Sequence, residues 1–401
     1  MSIDDQMRNK PTREWIEEVR ERYPTEASID RTLTNKLLRR SIATDSADTH
    51  SASLYEQLTA FIATKIDVKF TLHDLKPLAG GASKEQYHFY LETNIGGAPA
   101  REHMMLRREP EESISQTDRE REIQLFQAMD NVVPVPKIIG GDLEGKYFGR
   151  PAMVCSFSDG VTKPTQGKGG VSGIGNAYPL EYRKILAPDY VQTLARFHRF
   201  DPTTFDFSAF DIPEVGSTKG NEQLINWWAR IWYEDRLEDI PIMAVAERWL
   251  RDNMPTIDRV SVVHGDYRTG NFLFDEGSKK ITAVLDWELG WLGDYHADLA
   301  YVLFEAFRVP DESGNPLQCG LISEKDFLEM YQRESGLTVD QQRLEYFTIF
   351  LLWRSVIQVL AAGMRSAITG KSHQAVVMSW LAGIGYPIIN SLRKKLKEVS
   401  K

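Results

Sequence analysis

The triplet His264-Gly265-Asp266, with Asn271 five residues on and Asp286-Trp287-Glu288 beyond it, constrains this chain more than any other stretch. An apolar run, Val260, Val262 and Val263, stops abruptly at His264. After Asn271 comes a short apolar segment, 272–274, then Asp275-Glu276-Gly277, then a second apolar segment, 281–285, which ends at Asp286. Branched and aromatic residues inside the segments, with turn residues between them, predict a hairpin. A hairpin folds its ends together. Asp266, Asn271 and Asp286 are therefore expected in one small volume at its mouth.

Two carboxylates and an amide are all oxygen donors. They suit a hard cation such as magnesium, which prefers one or two carboxylates plus substrate phosphates to a full protein cage. Phosphoryl transfer uses the same set: a carboxylate to take the acceptor's proton, and oxygen ligands for a metal that bridges nucleotide phosphates. The bland alternative is a hydrophobic hairpin with solvated turn carboxylates. The succession of first motif, strand pair and second motif at this spacing argues against it. Asp294 and Asp298 read as helix caps or braces of the loop.

These motifs resemble the signature of the aminoglycoside phosphotransferase and choline kinase family, the small-molecule relatives of protein kinases. There the kinase catalytic loop H-R-D-x-x-x-x-N becomes H-G-D-x-x-x-x-N, and the D-F-G aspartate sits in a D-W-E or similar. The resemblance implies Asp266 as catalytic base and Asn271 and Asp286 as magnesium ligands. Arg268 sits where kinases usually place a lysine that steadies the transferred phosphate. The implied fold is α+β, a protein-kinase-like two-lobe architecture. Its N-lobe is an antiparallel five-stranded sheet with a helix, its C-lobe is mainly helical, and ATP lies in the cleft. Leu106-Arg107-Arg108 and Arg121-Glu122 look most like the branch that includes domains fused to acyl-CoA dehydrogenases.

Upstream, alternation predicts strands over 72–78, 86–93 and 101–107, with Gly80-Gly81-Ala82-Ser83 as the first turn. A glycine turn between antiparallel strands lets backbone N–H groups approach phosphate oxygens. Gly80, Gly81 and Ser83 resemble the family's nucleotide loop. The kinase-like template wants a lysine on strand three, and here Arg107 takes the position. Arginine keeps the charge and grips two oxygens as a fork, but is not a simple substitute. Glu122, in a helix expected over 116–129, matches the family's partner of the strand-three cation, with Glu120 the near alternative. Otherwise a helical run of mixed charges reads as a solvated face. Residues 153–157 form the fifth strand and lead to the hinge, where an adenine would use backbone groups near Ser156 and Ser158. The expected division is a helical N-terminal extension over 1–52, an N-lobe over 53–157 and a C-lobe over 158–401, carrying the catalytic loop and acceptor site.

Composition sets the outer bounds. The chain has 401 residues, 42% hydrophobic and 26% charged, as in ordinary globular proteins. A net charge of −9 speaks against general nucleic-acid affinity. Cys155 and Cys319 form no C-x-x-C pair, so neither a disulfide framework nor a zinc site is expected. With a polar N-terminus lacking a signal-peptide core, this fits a cytoplasmic location. The apolar stretch 346–363 contains Arg354 and Gln358 and reads as a buried helix, not a membrane span. Trp227, Trp228 and Trp232 read as a core stripe, Glu234 and Asp235 beyond them as a solvated face, and His198 as a hydrogen-bonded core histidine. Residues 41–53 read as a linker and 163–178 as a loop. The expected function is ATP-dependent phosphotransfer to a hydroxyl of a small molecule: an amino sugar, a choline-like alcohol or a hydroxyacyl compound. The alternatives are a nucleotide-binding pseudokinase, which Arg107 leaves open, and a protein kinase, against which the missing activation segment after Asp286 speaks. Nothing in the sequence specifies an oligomeric state.

Overall fold

The computed structural model describes residues 3–42, 53–78, 84–95, 98–110, 116–165, 175–369 and 375–400. Gly80, Gly81 and Ser83, most of the 41–53 linker and the centre of the 163–178 loop lie outside them.

Strands β1 (Phe70–Pro77), β2 (Glu85–Ile95), β3 (Ala98–Arg108), β4 (Ile138–Asp142) and β5 (Ala152–Ser156) form one antiparallel five-stranded sheet in the order β1-β2-β3-β5-β4. Successive side chains point to opposite faces. Phe89, Leu91, Met104, Leu106 and Val154 are buried with Leu58, Phe61 and Ile62 of the helix Leu54–Ile62. The other face carries Gln86, His88 and Tyr90 of β2 opposite Arg107, Met105 and His103 of β3. That face looks toward the second lobe, and it is where the polar chemistry sits.

The helix expected from residue 116 begins at Arg119. Asp118 caps it: its side chain accepts the N–H groups of Glu120 (2.9 Å) and Arg121 (3.2 Å). The solvated-face reading of this helix, Arg119–Met129, does not hold. Arg119, Arg121 and Glu122 are buried, because each finds a carboxylate or guanidinium from another element.

The second lobe is mainly helical, with helices Leu180–Arg199, Lys219–Asp235, Pro241–Asp252, Glu324–Ser335 and Gln341–Val356. Among them lie three short strand pairs in the described residues, Ser261–Val263 with Trp291–Gly293, Phe272–Phe274 with Ile281–Val284, and Val309–Pro310 with Pro316–Leu317. The apolar helical run Gln341–Ile368 is long enough to cross a membrane but is mostly buried in this lobe. His198 is a bonded core histidine, 2.8 Å from the Tyr331 hydroxyl and 3.1 Å from Asp298. Cys155 and Cys319 are buried and free.

Glu234 and Asp235 are the second correction to the sequence reading. Both are buried, not solvated. Lys36 Nζ lies 2.7 Å from Glu234 and 2.9 Å from Asp235, and Arg230, Arg40 and Arg365 stand beside them. A buried charge is tolerated when paired, and here two of the partners, Lys36 and Arg40, come from the helix Ala27–Ile42. Together with Arg13–Arg22, that helix places Trp15, Ile16, Val19, Leu33 and Leu37 in the main core.

Candidate active site

The chain leaves strand Ser261–Val263 and turns at Gly265, with φ +78°. A Cβ there would lie 2.5 Å from the Leu289 carbonyl oxygen, so both the dihedral and the space demand glycine. The loop is then pinned from several directions. The Asp298 carboxylate accepts the N–H groups of His264 (2.7 Å) and Gly265 (2.8 Å). Arg354, from the long apolar helix, donates to the Gly265 carbonyl at 2.6 Å. His264 Nε2 meets the Leu285 carbonyl at 2.8 Å, and the Leu285 N–H donates to the Asn271 carbonyl at 2.8 Å. These last two bonds close the mouth of the hairpin.

At that mouth Asn271 Nδ2 donates to Asp266 Oδ2 at 2.6 Å and to the Asp266 carbonyl at 2.9 Å. Arg268 Nε donates to Asp266 Oδ1 at 3.1 Å, and the Tyr301 hydroxyl donates to the same oxygen. Asp286 adopts a left-handed conformation, φ 58° and ψ 50°. That region is uncommon for a residue with a side chain, and such outliers cluster at functional sites.

Asp286 Oδ1 receives Arg107 Nη2 at 2.6 Å, while Arg107 Nη1 donates to Glu122 Oε1 at 2.9 Å. One guanidinium thus ties the sheet to the helix Arg119–Met129 and to the end of the hairpin. Glu122 is also paired with Arg119. Lys84, fully buried at the head of β2, lies 2.7 Å from Glu109, 3.1 Å from Thr117 and 3.3 Å from Glu288. Burial works against the charge on Arg107, but Glu122 and Asp286 outweigh it and its pKa is raised. Lys84 behaves the same way beside Glu109 and Glu288. Burial would raise Glu122, yet Arg119 and Arg107 hold it below the usual carboxylate range. Glu288 goes the other way: burial pushes it up, and Lys84 offsets this only in part.

Asp266, Arg268 and Asn271 therefore form one cluster, and Arg107, Glu122 and Asp286 a second, joined through the Leu285 backbone. Glu120 turns away toward Arg31, 3.4 Å off. Near the hinge, the Ser156 hydroxyl accepts the Lys137 N–H at 2.9 Å and the Ser156 N–H donates to the Lys137 carbonyl at 2.8 Å. The Phe157 N–H is committed to His103 at 2.9 Å. Ser158, partly exposed, lies beyond these bonds. Gly80, Gly81 and Ser83 fall outside the described residues. The sequence reading passed over Lys84 and Tyr301. Lys84 follows the glycine turn and is in phase with Gln86 and His88, the face shared with Arg107. Tyr301 sits one helical turn after Asp298 and so shares its face.

A twisted antiparallel sheet over a helical lobe, with an Asp–Asn pair and a second aspartate at the mouth of a hairpin between them, defines a kinase-like two-lobe α+β phosphotransferase fold. The chain belongs to the phosphotransferase enzyme family, abbreviated APH, whose model matches residues 74–345. Acyl-CoA dehydrogenase family member 10 of Mus musculus is 24% identical over 289 residues, covering 68% of this chain and 25% of that protein. Acyl-CoA dehydrogenase family member 11 of Gallus gallus is 34% identical over 169 residues, 39% of this chain and 21% of that protein. The chain thus spans a quarter or less of the length of these two curated relatives. Among solved structures, a Ralstonia eutropha JMP134 protein provisionally assigned as an aminoglycoside phosphotransferase superposes with a TM-score of 0.61 at 21% identity, covering 86% of this chain and 98% of that one. A thermostable mutant of the aminoglycoside phosphotransferase APH(4)-Ia, in ternary complex with ADP and hygromycin B, gives 0.50 at 15% identity, covering 85% and 99%. At these identities the likeness is one of fold.

Proposed function

We propose that this protein is an ATP-dependent O-phosphotransferase acting on a hydroxyl of a small molecule. The observation that carries the reading is the two-sided hairpin mouth. Asp266 is held by Asn271 on one side, and Asp286 is held by the Arg107–Glu122 pair on the other. A merely structural hairpin has no need of two carboxylates at its mouth, one held by an amide and the other by a buried guanidinium. The ADP and hygromycin B bound to a protein of the same fold support the nucleotide and the small acceptor as a class.

In this reading Asp266 orients the acceptor hydroxyl and takes its proton as the oxygen attacks the γ-phosphorus and the bond to the β-phosphate oxygen breaks. Arg107 and Arg268 supply positive charge where negative charge develops. The donor set also fits magnesium. Asn271 commits its amide nitrogen to Asp266, which leaves the amide oxygen as its donor. Asp286 commits one oxygen to Arg107 and remains partly exposed. Asn271 and Asp286 would hold the ion, and when bound it offsets charge on the phosphates. The acceptor panel holds amino sugars, choline-like alcohols, and hydroxy acids with their CoA thioesters.

The test is ADP release from ATP and magnesium against that panel, with Asp266→Ala as control. Stimulation by one acceptor class, lost in the variant, is the expected result. Magnesium-dependent ATP binding without stimulated turnover by any class favours a pseudokinase. No ATP binding overturns the reading.

A further inference from the structure

The base-bearing loop carries a contact that the transfer chemistry above does not use. Tyr301, at the end of the helix His296–Val302, is nearly buried and points its hydroxyl at Asp266 Oδ1. Its ring is held in place. The Phe307 ring centroid is 5.2 Å away, and the Arg354 guanidinium lies 5.2 Å over the Tyr301 ring. Burial, with Asp266 next to it, pushes the phenol well above its usual range, so it stays protonated and acts as a donor.

A carboxylate oxygen accepts through its lone pairs. Oδ1 already receives Arg268 Nε at 3.1 Å as well as the Tyr301 hydroxyl, and Oδ2 receives Asn271 Nδ2 at 2.6 Å. The protein's own donors therefore occupy most of the acceptor capacity of the proposed base. A phenolic O–H makes the same bond to a carboxylate that an alcohol substrate or a water would make. Water reaching Oδ1 would be the wrong nucleophile: its oxygen would attack the γ-phosphorus, its proton would pass to Asp266, and ADP would leave with the electron pair of the broken bond.

We propose that Tyr301 is a positioning residue that occupies Asp266 Oδ1 in place of a hydroxyl substrate and so guards the bound nucleotide against hydrolysis until an acceptor arrives. The phenolic proton can turn about its C–O bond without moving the ring. An acceptor anchored by its own binding contacts can take over the bond to Oδ1, whereas a loose water competes poorly. The inference rests on the phosphotransferase reading and assigns a role to a residue beside that site.

The experiment is acceptor-independent ATP hydrolysis by Tyr301→Phe, which keeps the ring and its packing and removes only the hydroxyl. Binding of a non-hydrolysable ATP analogue with magnesium is measured alongside. A hydrogen bond to a charged group, once absent, no longer has to be displaced by water, so hydrolysis should rise about tenfold or more. The rise should vanish in the double variant Tyr301→Phe/Asp266→Ala, since it acts through that carboxylate. A residue with only a structural role would leave hydrolysis unchanged or lower it, so a gain separates the two. Equal or lower hydrolysis in Tyr301→Phe, with analogue binding intact, overturns the guard role and leaves the phosphotransferase reading standing. Failure of the wild-type chain to bind the analogue removes both.

Discussion

Replacing Lys36 with methionine would put a number on how the N-terminal helices are held to the second lobe. Lys36 Nζ lies 2.7 Å from Glu234 and 2.9 Å from Asp235, and all three side chains are at most 3% exposed. Methionine nearly matches the lysine stem in volume, so the substitution removes charge with little change in packing. Removing one partner of a buried ion pair costs about 3–5 kcal/mol, because the other charge is left behind. Asp235 keeps Arg40 at 2.7 Å, and Glu234 Oε1 keeps Arg230 at 2.7 Å. The loss should therefore fall at the low end, about 3 kcal/mol, most of it on the deserted Oε2 of Glu234. Urea unfolding followed by tryptophan fluorescence reads it, since Trp15, Trp227 and Trp228 lie in the core that these helices share. Adding Glu234→Gln removes the stranded charge and should restore about 1–2 kcal/mol. A loss under about 1 kcal/mol, the value of an exposed pair, with no recovery in the double variant, would refute the assignment. Acid should weaken the same contact. Burial pushes Asp235 up, but Arg40, Lys36 and Arg365 outweigh it and hold its pKa below the ordinary value. Its contribution is thus full above the unfolded carboxylate pKa, about 4, and is lost as pH falls below that toward the folded value.

The remaining predictions concern the site. Arg107→Met should lower kcat/KM for ATP by about a hundredfold or more, and Arg107→Lys, which keeps the charge without the fork, should lose less; initial-rate kinetics against ATP decide it. Gly265→Ala must place a side chain at φ +78° against the Leu289 carbonyl, which should cost about 2 kcal/mol or more in thermal unfolding and remove turnover. Asp298→Asn replaces a charged acceptor of the His264 and Gly265 N–H groups, and should lose about 2–3 kcal/mol, with faster hydrogen exchange at those two amides.

What the sequence revealed and what it concealed separate on a physical line. The hairpin, the three long strands and the capped helix are written in short-range periods and turn residues, and Gly265 announces a backbone turn within its own triplet. Charge burial is not written that way. A run such as Arg119–Arg121–Glu122 looks the same on a solvated face and in a core until its partners are known. Such partners can be remote: Arg121 and Glu26 are 95 residues apart, and Lys36 and Asp235 are 199 apart. The resemblance to a kinase-like template supplied the Arg107–Glu122 pairing, because the template fixes where strand three and its neighbouring helix lie; the contact of Arg107 with Asp286 is seen only in the structure. The resemblance could not supply Lys36–Asp235, because the helix Ala27–Ile42 precedes the part of the chain that the family model matches. It did not supply Tyr301 either, although residue 301 lies inside the matched region. None of the motifs that carry the resemblance reaches residue 301, and a tyrosine one turn after Asp298 reads in sequence as an ordinary core aromatic. Its place beside the site becomes visible only when its hydroxyl is seen lying against the Asp266 carboxylate.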